Sequence, residues 1–149
     1  AKPSGSGDPS AVGYEELLHR FWRLHDPSDA GGAFYDHGEL YTSAIFYQNA
    51  AQKGAAERAK AALGLSGKFD RPIATVIEAA GTFHPAERYH QDYAEKNPER
   101  CAAYRMASGR DAFFARVWAG DNTVYGADAS PYANLDDALL RERLTPMQY

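Results

Sequence analysis

Hydrophobic and polar positions follow two different periods along the chain, and each period predicts a type of secondary structure. From Tyr14 to His25 the apolar residues recur at helical spacing and most charged residues face the other way, which predicts an amphipathic helix that ends before Pro27. From Leu40 to Tyr47 the pattern alternates and the residues favour strands. The first part of the chain is therefore predicted as a helix followed by a strand.

The middle of the chain predicts a second helix and a second strand. Asn49 is placed to cap a helix over Ala50 to Leu63, and Gly64 is placed to end it. The alanines of this helix favour helical structure and permit close packing. Pro72 to Glu78 is then predicted as a strand that is buried through its Ile and Val residues.

Further helices are predicted in the second half. Pro85 to Lys96 is predicted as a helix with proline in its first turn and Asn97-Pro98 as its stop. Ser108 and Asp111 resemble a capping box that opens a short helix. The side chains that this helix is expected to bury are Phe113, Phe114, Val117 and Trp118.

The composition changes at both ends of this region. Residues Ala1 to Gly13 hold little to bury and are predicted as a flexible segment. Residues Gly120 to Pro131 have the composition of a linker, and Asn134 can cap a helix over Leu135 to Arg143. Strands that alternate with helices predict a mixed α/β or α+β layered fold.

Composition and charge exclude several classes of protein. The 149 residues are 44% hydrophobic, as in an ordinary globular domain, and they contain no apolar run of the roughly 18 residues that a membrane span requires. We therefore expect a soluble protein. The net charge of -4 provides no general attraction to nucleic acid, and one cysteine excludes a disulfide framework or a cysteine-based zinc site within this chain.

Position 1 is Ala, and Met106 and Met147 are the two methionines. We therefore expect a chain that is processed or cut.

Two Glu-x-x-His pairs suggest metal binding, because residues three apart share a helix face. Glu16 and His19 lie opposite the apolar stripe of the first helix and are expected to face water. Glu87 and His90 are the stronger pair, since His90 shares a face with aromatic residues. A metal site would need further carboxylate helices that the sequence does not offer, and the alternative is a hydrogen-bonded core histidine.

The segment from Phe34 to Tyr41 is a second candidate site. It places a carboxylate, an imidazole and phenols in a loop that runs into a strand, where a rigid base can aim side chains. The alternative is that Asp36 bonds local backbone amides and the tyrosines only pack.

Several motifs occur in a fixed order along the chain. They are Tyr14-Glu15-Glu16-Leu17-Leu18, Phe21-Trp22, His25-Asp26-Pro27-Ser28, Asp36-x-Gly38-x-x-Tyr41-x-Ser43-Ala44-Ile45, Phe83-x-x-Ala86-Glu87-x-Tyr89-His90-Gln91-x-Tyr93 and Lys96-Asn97-Pro98. Together they resemble peptide methionine sulfoxide reductase A over about Asp8 to Gly120. The last residues, Leu139 to Tyr149, resemble instead the start of a methionine sulfoxide reductase B domain.

The resemblance implies a domain organisation and a fold. It assigns 1–13 to a flexible segment, 14–120 to the C-terminal part of a reductase A domain, 121–134 to a linker and 135–149 to the start of a reductase B domain. The implied fold is α+β, a mixed α/β two-layer sandwich of the ferredoxin-like reductase A type, incomplete at the N-terminus.

The resemblance also implies a reaction and its partners. In this family a cysteine thiolate attacks the sulfur of methionine S-sulfoxide, free or in proteins, and a resolving thiol then forms a disulfide that thioredoxin or dithiothreitol reduces. No metal or other cofactor is implied, and neither a nucleic acid nor a membrane is an expected partner. The implied location is cytoplasmic.

Site residues can be carried over where the motifs match. Tyr41 corresponds to the tyrosine that bonds the sulfoxide oxygen, and Asp36 to the aspartate beside it. His90 corresponds to the histidine that supports the pocket, with Glu87 near it. Cys101 is a candidate resolving thiol, although its spacing from Asn-Pro is one residue shorter than is typical, and the alternative is a small packed side chain.

The family's nucleophile motif, Gly-Cys-Phe-Trp, does not occur in this sequence. We therefore expect the chain alone to be inactive. Three hypotheses follow: part of a peptide-methionine (S)-S-oxide reductase, a non-catalytic module that binds methionine sulfoxide, and a metal protein that uses Glu87 and His90.

Overall fold

The computed structural model describes residues 13–127, and the predicted helix over Leu135 to Arg143 lies outside this part of the chain. The elements in chain order are α1 (Tyr14–Phe21), β1 (Gly32–Ala33), β2 (Asp36–His37), a 3-10 helix (Glu39–Tyr41), β3 (Ala44–Tyr47), α2 (Ala50–Leu65), β4 (Val76–Ala79), α3 (Tyr93–Lys96), α4 (Pro98–Ala107) and α5 (Arg110–Trp118).

The centre of the fold is a β3-α2-β4 unit. Strands β3 and β4 pair in parallel, with Ala44 opposite Val76 and Tyr47 opposite Ala79, and α2 connects them. The parallel pair requires a crossover of this kind. The α+β class predicted from the sequence is confirmed. The buried residues of α2 are Ala55, Ala56, Ala59, Ala62 and Leu63.

Helix α1 is shorter than predicted because the chain turns at Trp22. Leu18 and Trp22 are buried, whereas Leu17, expected in the buried stripe, is about half exposed. Glu16 pairs with Arg20 across one turn at 2.8 Å. The apolar face of this helix is therefore narrower than the sequence pattern indicated.

Both predicted strands begin later than expected. Leu40 lies in the 3-10 helix and is 94% exposed, so the alternating pattern before Ala44 does not belong to a strand. Before β4, Ala74 donates from its backbone N–H to Pro27 O at 2.7 Å, and this bond ties the approach to the strand to the turn after α1. Val76, predicted to be buried, is 42% exposed.

The predicted cap of α2 is confirmed, but its predicted end is wrong. The Asn49 side chain accepts a hydrogen bond from Gln52 N at 3.0 Å. Gly64 lies inside the helix, which continues to Leu65, and the left-handed glycine after it is Gly67 with φ 71°. The backbone N–H and the hydroxyl of Ser66 both donate to Leu63 O, and these bonds close the helix after Leu65.

The prediction of a helix over Pro85 to Lys96 is wrong for most of its length. Residues 81–92 are exposed and carry turns, and α3 occupies Tyr93–Lys96 alone. Asn97-Pro98 does not stop the helical region, because Pro98 starts α4. Proline suits the first position of a helix, where its missing N–H costs nothing.

Helix α5 exists as predicted, but Ser108 does not cap it. The Ser108 hydroxyl donates back to Arg105 O at 3.0 Å, and Gly109 with φ 73° precedes the helix. Trp118 is buried, while the other three apolar side chains expected in the core are half-buried.

Residues 121–127, which the composition assigned to a linker, pack against the core. Asp121 accepts from Lys68 Nζ at 2.8 Å and from the Tyr125 hydroxyl at 2.8 Å. Burial raises the pKa of Asp121, but the hydrogen bonds from Lys68, Thr123 and Tyr125 outweigh it and hold this pKa well below its usual range. Tyr125 is itself buried.

Within residues 13–127, each helix is too short or too polar to cross a bilayer.

Candidate functional site

Asp36 lies in a two-stranded antiparallel hairpin that was predicted as a loop. Ala33 pairs with Asp36 and Gly32 with His37. A Cβ atom at Gly32 would lie 2.1 Å from the backbone oxygen of Asp36, so the strands approach too closely for any side chain at this position. The glycine therefore allows the hairpin to close and fixes the backbone that carries the Asp36 carboxylate.

The turn of the hairpin is anchored on α5. Phe34 has a φ of 60°, a conformation that is strained for a bulky residue. Its ring packs edge-on against Phe113 and Phe114, with centroid distances of 5.6 and 6.1 Å. These aromatic contacts offset the strain and hold the hairpin against the rest of the molecule.

Tyr41 follows the hairpin directly in the 3-10 helix. Gly38, with φ 114°, makes the connection, and its N–H donates to Gly31 O at 2.9 Å. The backbone N–H of Tyr41 in turn donates to Gly38 O at 3.0 Å. The Tyr41 side chain is 50% exposed. A carboxylate and an accessible phenol are thus carried by one short unit.

A buried hydrogen-bond chain fixes the strand that begins after Tyr41. Ser43 lies 2.8 Å from the hydroxyl of Thr75, and Thr75 lies 3.4 Å from Nε2 of His25. Nδ1 of His25 lies 3.1 Å from Phe21 O, which can only accept, so Nδ1 carries the proton. Thr75 then donates to His25 and accepts from Ser43.

Helix α4 contributes a residue that the sequence analysis did not identify. The hydroxyl of Tyr104 donates a hydrogen bond to Oδ2 of Asp36. This contact joins residues 68 positions apart. It was missed because α4 itself was not predicted, so the orientation of Tyr104 could not be inferred from helical spacing.

Cys101 lies on the same helix, three residues before Tyr104, and is half-buried. Among the hydrogen bonds of residues 13–127, none joins Cys101 to Asp36 or Tyr41. The geometry therefore places Cys101 on the helix that reaches the site, without a direct contact to it.

His90 and Glu87 do not join this unit in the described part of the chain. Both are exposed, and the His90 ring lies against Tyr89 with a centroid distance of 4.2 Å. The interpretation of His90 as a core histidine is wrong, because the helix that was to bury it does not form. In residues 13–127 no three His, Cys, Asp or Glu side chains cluster as metal ligands would.

A cavity of about 460 Å³ lies elsewhere, between the turn after α1 and α5, and neither Asp36 nor Tyr41 lines it. Its charged lining residues include Asp26 and Arg71, which pair with each other at 3.3 Å.

The Asp36 and Tyr41 unit offers complementary chemistry. An ionised carboxylate accepts hydrogen bonds, and an accessible phenol donates one. Together they suit a small polar ligand that presents both an N–H group and a strongly accepting oxygen.

The unit that carries Asp36 and Tyr41 lies within the residues that match a known protein family. The model of the family described as peptide methionine sulfoxide reductase matches residues 7–122. The chain is 52% identical to a protein named peptide methionine sulfoxide reductase MsrA from Bacillus licheniformis, over 111 residues that cover 74% of this chain and 61% of that protein.

Two further relatives carry the same name. The protein from Listeria monocytogenes serotype 4a is 48% identical over 113 residues, which cover 76% of this chain and 64% of that protein. The protein from Ligilactobacillus salivarius is 47% identical over 111 residues, which cover 74% of this chain and 64% of that protein. The chain thus spans about three fifths of the length of these relatives.

Proposed function

Because the chain belongs to the peptide methionine sulfoxide reductase family, we propose that the protein reduces methionine S-sulfoxide, free or in proteins, and that this chain supplies part of the substrate site. The observation that carries the proposal is the placement of Asp36 and Tyr41 on one unit closed by Gly32 and Gly38, within the matched residues. In this proposal the Tyr41 hydroxyl donates to the sulfoxide oxygen.

The proposed reaction begins with a thiol that this chain does not contain. The thiolate attacks the sulfoxide sulfur, the oxygen passes to the cysteine with one proton, and methionine and a cysteine sulfenic acid result. A second thiol then displaces water from the sulfenic acid and forms a disulfide, which thioredoxin reduces by exchange. Since the Gly-Cys-Phe-Trp motif is absent from this sequence, we propose that the chain alone is inactive.

We further propose that residues 135–149 begin a reductase B domain, and that the protein acts in the cytoplasm. The resemblance of Leu139 to Tyr149 to that domain supports the fusion, and these residues lie beyond the family match at 7–122. The helix position of Cys101, near the site, supports a role as resolving thiol.

A complementation experiment tests the function. The 149-residue chain is assayed with N-acetylmethionine S-sulfoxide and dithiothreitol, alone and fused to an N-terminal segment of a relative that carries the Gly-Cys-Phe-Trp motif. We expect no turnover by the chain alone and clear turnover by the fusion. The matched control is the same fusion with the motif cysteine replaced by serine, which should be inactive.

Other outcomes would favour the other hypotheses. Turnover by the chain alone would contradict the proposal directly. A folded fusion that binds the sulfoxide without reducing it would favour a binding module. A bound metal found by elemental analysis would favour the hypothesis that Glu87 and His90 are ligands.

The role of Cys101 has a separate test. In the active fusion, Cys101→Ser should strongly lower turnover driven by thioredoxin and leave turnover driven by dithiothreitol largely intact, because a small thiol can reduce the sulfenic acid directly. Equal rates with thioredoxin in the presence and absence of the Cys101 thiol would contradict this role.

A further inference from the structure

The Asp36 carboxylate is held by a residue from a distant part of the chain. Tyr104, on the middle of α4, donates its hydroxyl hydrogen to Oδ2 of Asp36. Asp36 is half-buried and Tyr104 is 39% exposed, so the bond lies at the rim of the molecule beside the candidate site. A hydrogen bond to a charged acceptor is stronger than one between neutral groups.

Arg110, the first residue of α5, contacts the hairpin that carries Asp36. Its Nη1 donates to Leu24 O at 2.8 Å, and its guanidinium carbon lies 4.6 Å from the centroid of the Phe34 ring. Phe34 forms the turn of the hairpin that carries Asp36. Arg110 therefore contacts the turn after α1 and the hairpin at once.

The positive charge of Arg110 also acts on Tyr104, where it opposes the rise in pKa that Asp36 causes. A carboxylate has acceptors and no donor, so the phenol keeps its own hydrogen for the bond to Asp36. The hydrogen bond is therefore directional, from Tyr104 to Asp36.

We propose that Tyr104, on α4, is a positioning residue that fixes the orientation of the Asp36 carboxylate for recognition of methionine sulfoxide, while Arg110, at the start of α5, anchors the hairpin turn beside it. The inference rests on the proposed function for the role of Asp36. It adds that the orientation of this carboxylate depends on the junction between α4 and α5, more than 60 residues further along the chain.

The acid-base behaviour of Tyr104 agrees with this geometry. The hydrogen bond to Asp36 raises the pKa of Tyr104, burial and the charge of Asp36 add to the rise, and Arg110 opposes it. Removing either partner should therefore shift the pKa of Tyr104, in opposite directions.

The first test uses the 149-residue chain labelled with 13Cζ-tyrosine and titrated by NMR, with the Tyr104 signal assigned through Tyr104→Phe. We expect Asp36→Asn to lower the pKa of Tyr104 and Arg110→Gln to raise it. Asp111→Asn is the matched control, since Asp111 bonds Arg105 on the same helix junction and should leave the Tyr104 titration unchanged. An unchanged pKa of Tyr104 in the Asp36→Asn variant would overturn the inference.

The second test measures binding of N-acetylmethionine S-sulfoxide to the same chain by chemical-shift titration. Tyr104→Phe should weaken binding by about tenfold, the effect of one hydrogen bond of about 1.4 kcal/mol. It should cause no further loss in the Asp36→Asn background, which separates positioning from a general loss of structure. Tyr47→Phe, on β3, is the matched control and should bind like wild type.

The outcomes distinguish the inference from the proposed function. Wild-type binding that is undiminished by Tyr104→Phe overturns the inference and leaves the proposed function standing. If the wild-type chain alone binds no sulfoxide, the same comparison is made in the fusion whose motif cysteine is serine. A fusion that binds no sulfoxide overturns both, while the NMR titration still reports whether Tyr104 and Asp36 are coupled.

Discussion

His25 is held in one protonation state by the hydrogen bonds on its two ring nitrogens. Nδ1 donates to a backbone carbonyl and Nε2 accepts from the fully buried Thr75. Burial lowers the pKa of His25, and Arg110 adds to this, while the hydrogen bond to Phe21 O and the charge of Asp26 oppose it. The neutral ring is therefore the form that the folded chain stabilises.

This protonation state predicts a pH dependence of folding. In the unfolded chain the pKa of histidine is about 6.5. Since the folded pKa is lower, the unfolded chain binds more protons between the two values, and the free energy of unfolding should fall as the pH drops below about 6.5. His25→Gln should cost about 1 to 3 kcal/mol at pH 7.5. The difference in free energy of unfolding between His25→Gln and wild type should become smaller towards pH 5, as measured by urea unfolding.

The control for this prediction is His37→Gln, which removes an exposed histidine from the hairpin. This variant should keep the pH dependence of the wild type. If the free energy of unfolding changed equally in wild type and His25→Gln between pH 7.5 and 5, this prediction would be wrong.

At the residue scale, the sequence could propose some candidate site residues and not others, for a physical reason. Asp36 and Tyr41 lie close together in one local motif, so a motif match could propose them together. Tyr104 joins them through a long-range contact that depends on how α4 packs. A single sequence contains no direct signal of such a contact.

At the scale of elements, the segment after α5 packs closely against α2 at Gly126. Gly126 has a φ of 77°, and a Cβ there would lie 2.5 Å from the backbone N of Ala59. Ala59 is itself fully buried. Small residues on both sides thus allow 121–127 to lie directly on the helix backbone.

Gly126→Ala should therefore destabilise the fold by more than backbone strain alone. Gly120→Ala is a matched control, because Gly120 has a similar φ of 74° but open space around its Cβ position. We expect about 1 to 2 kcal/mol for Gly120→Ala and at least about 2 kcal/mol more for Gly126→Ala, measured by thermal or urea unfolding. Equal losses in the two variants would show that the close approach to Ala59 is not part of the folded state.

The helices show where periodicity succeeds and where it fails. Asn49 and α2 were predicted well because a cap and a long run of helix formers agree. The stretch after Pro85 has helical spacing but lies exposed, so no packing stabilises a helix there. Pro98 was interpreted as a stop although it starts α4, since proline is compatible with both positions.

At the scale of the whole molecule, several large apolar side chains of the described residues are exposed. The most exposed large apolar side chains are Leu40 at 94%, Phe83 at 85% and Met106 at 78%, with Phe46 at 60% on the central strand. Leu40 precedes Tyr41 directly, so part of this apolar surface adjoins the candidate site. An apolar surface beside a donor and an acceptor suits a substrate with a methyl group and a polar sulfoxide.

If Tyr41 donates to the sulfoxide oxygen as proposed, removal of its hydroxyl should lower the kcat/KM of the active fusion. Tyr41→Phe is compared with Tyr47→Phe, which removes a phenol from β3 outside the proposed site. We expect kcat/KM to fall about 10²-fold in Tyr41→Phe, because one preorganised donor is lost, and to stay at the value of the parent fusion in Tyr47→Phe. Equal kcat/KM values for Tyr41→Phe and the parent fusion would contradict this role of Tyr41.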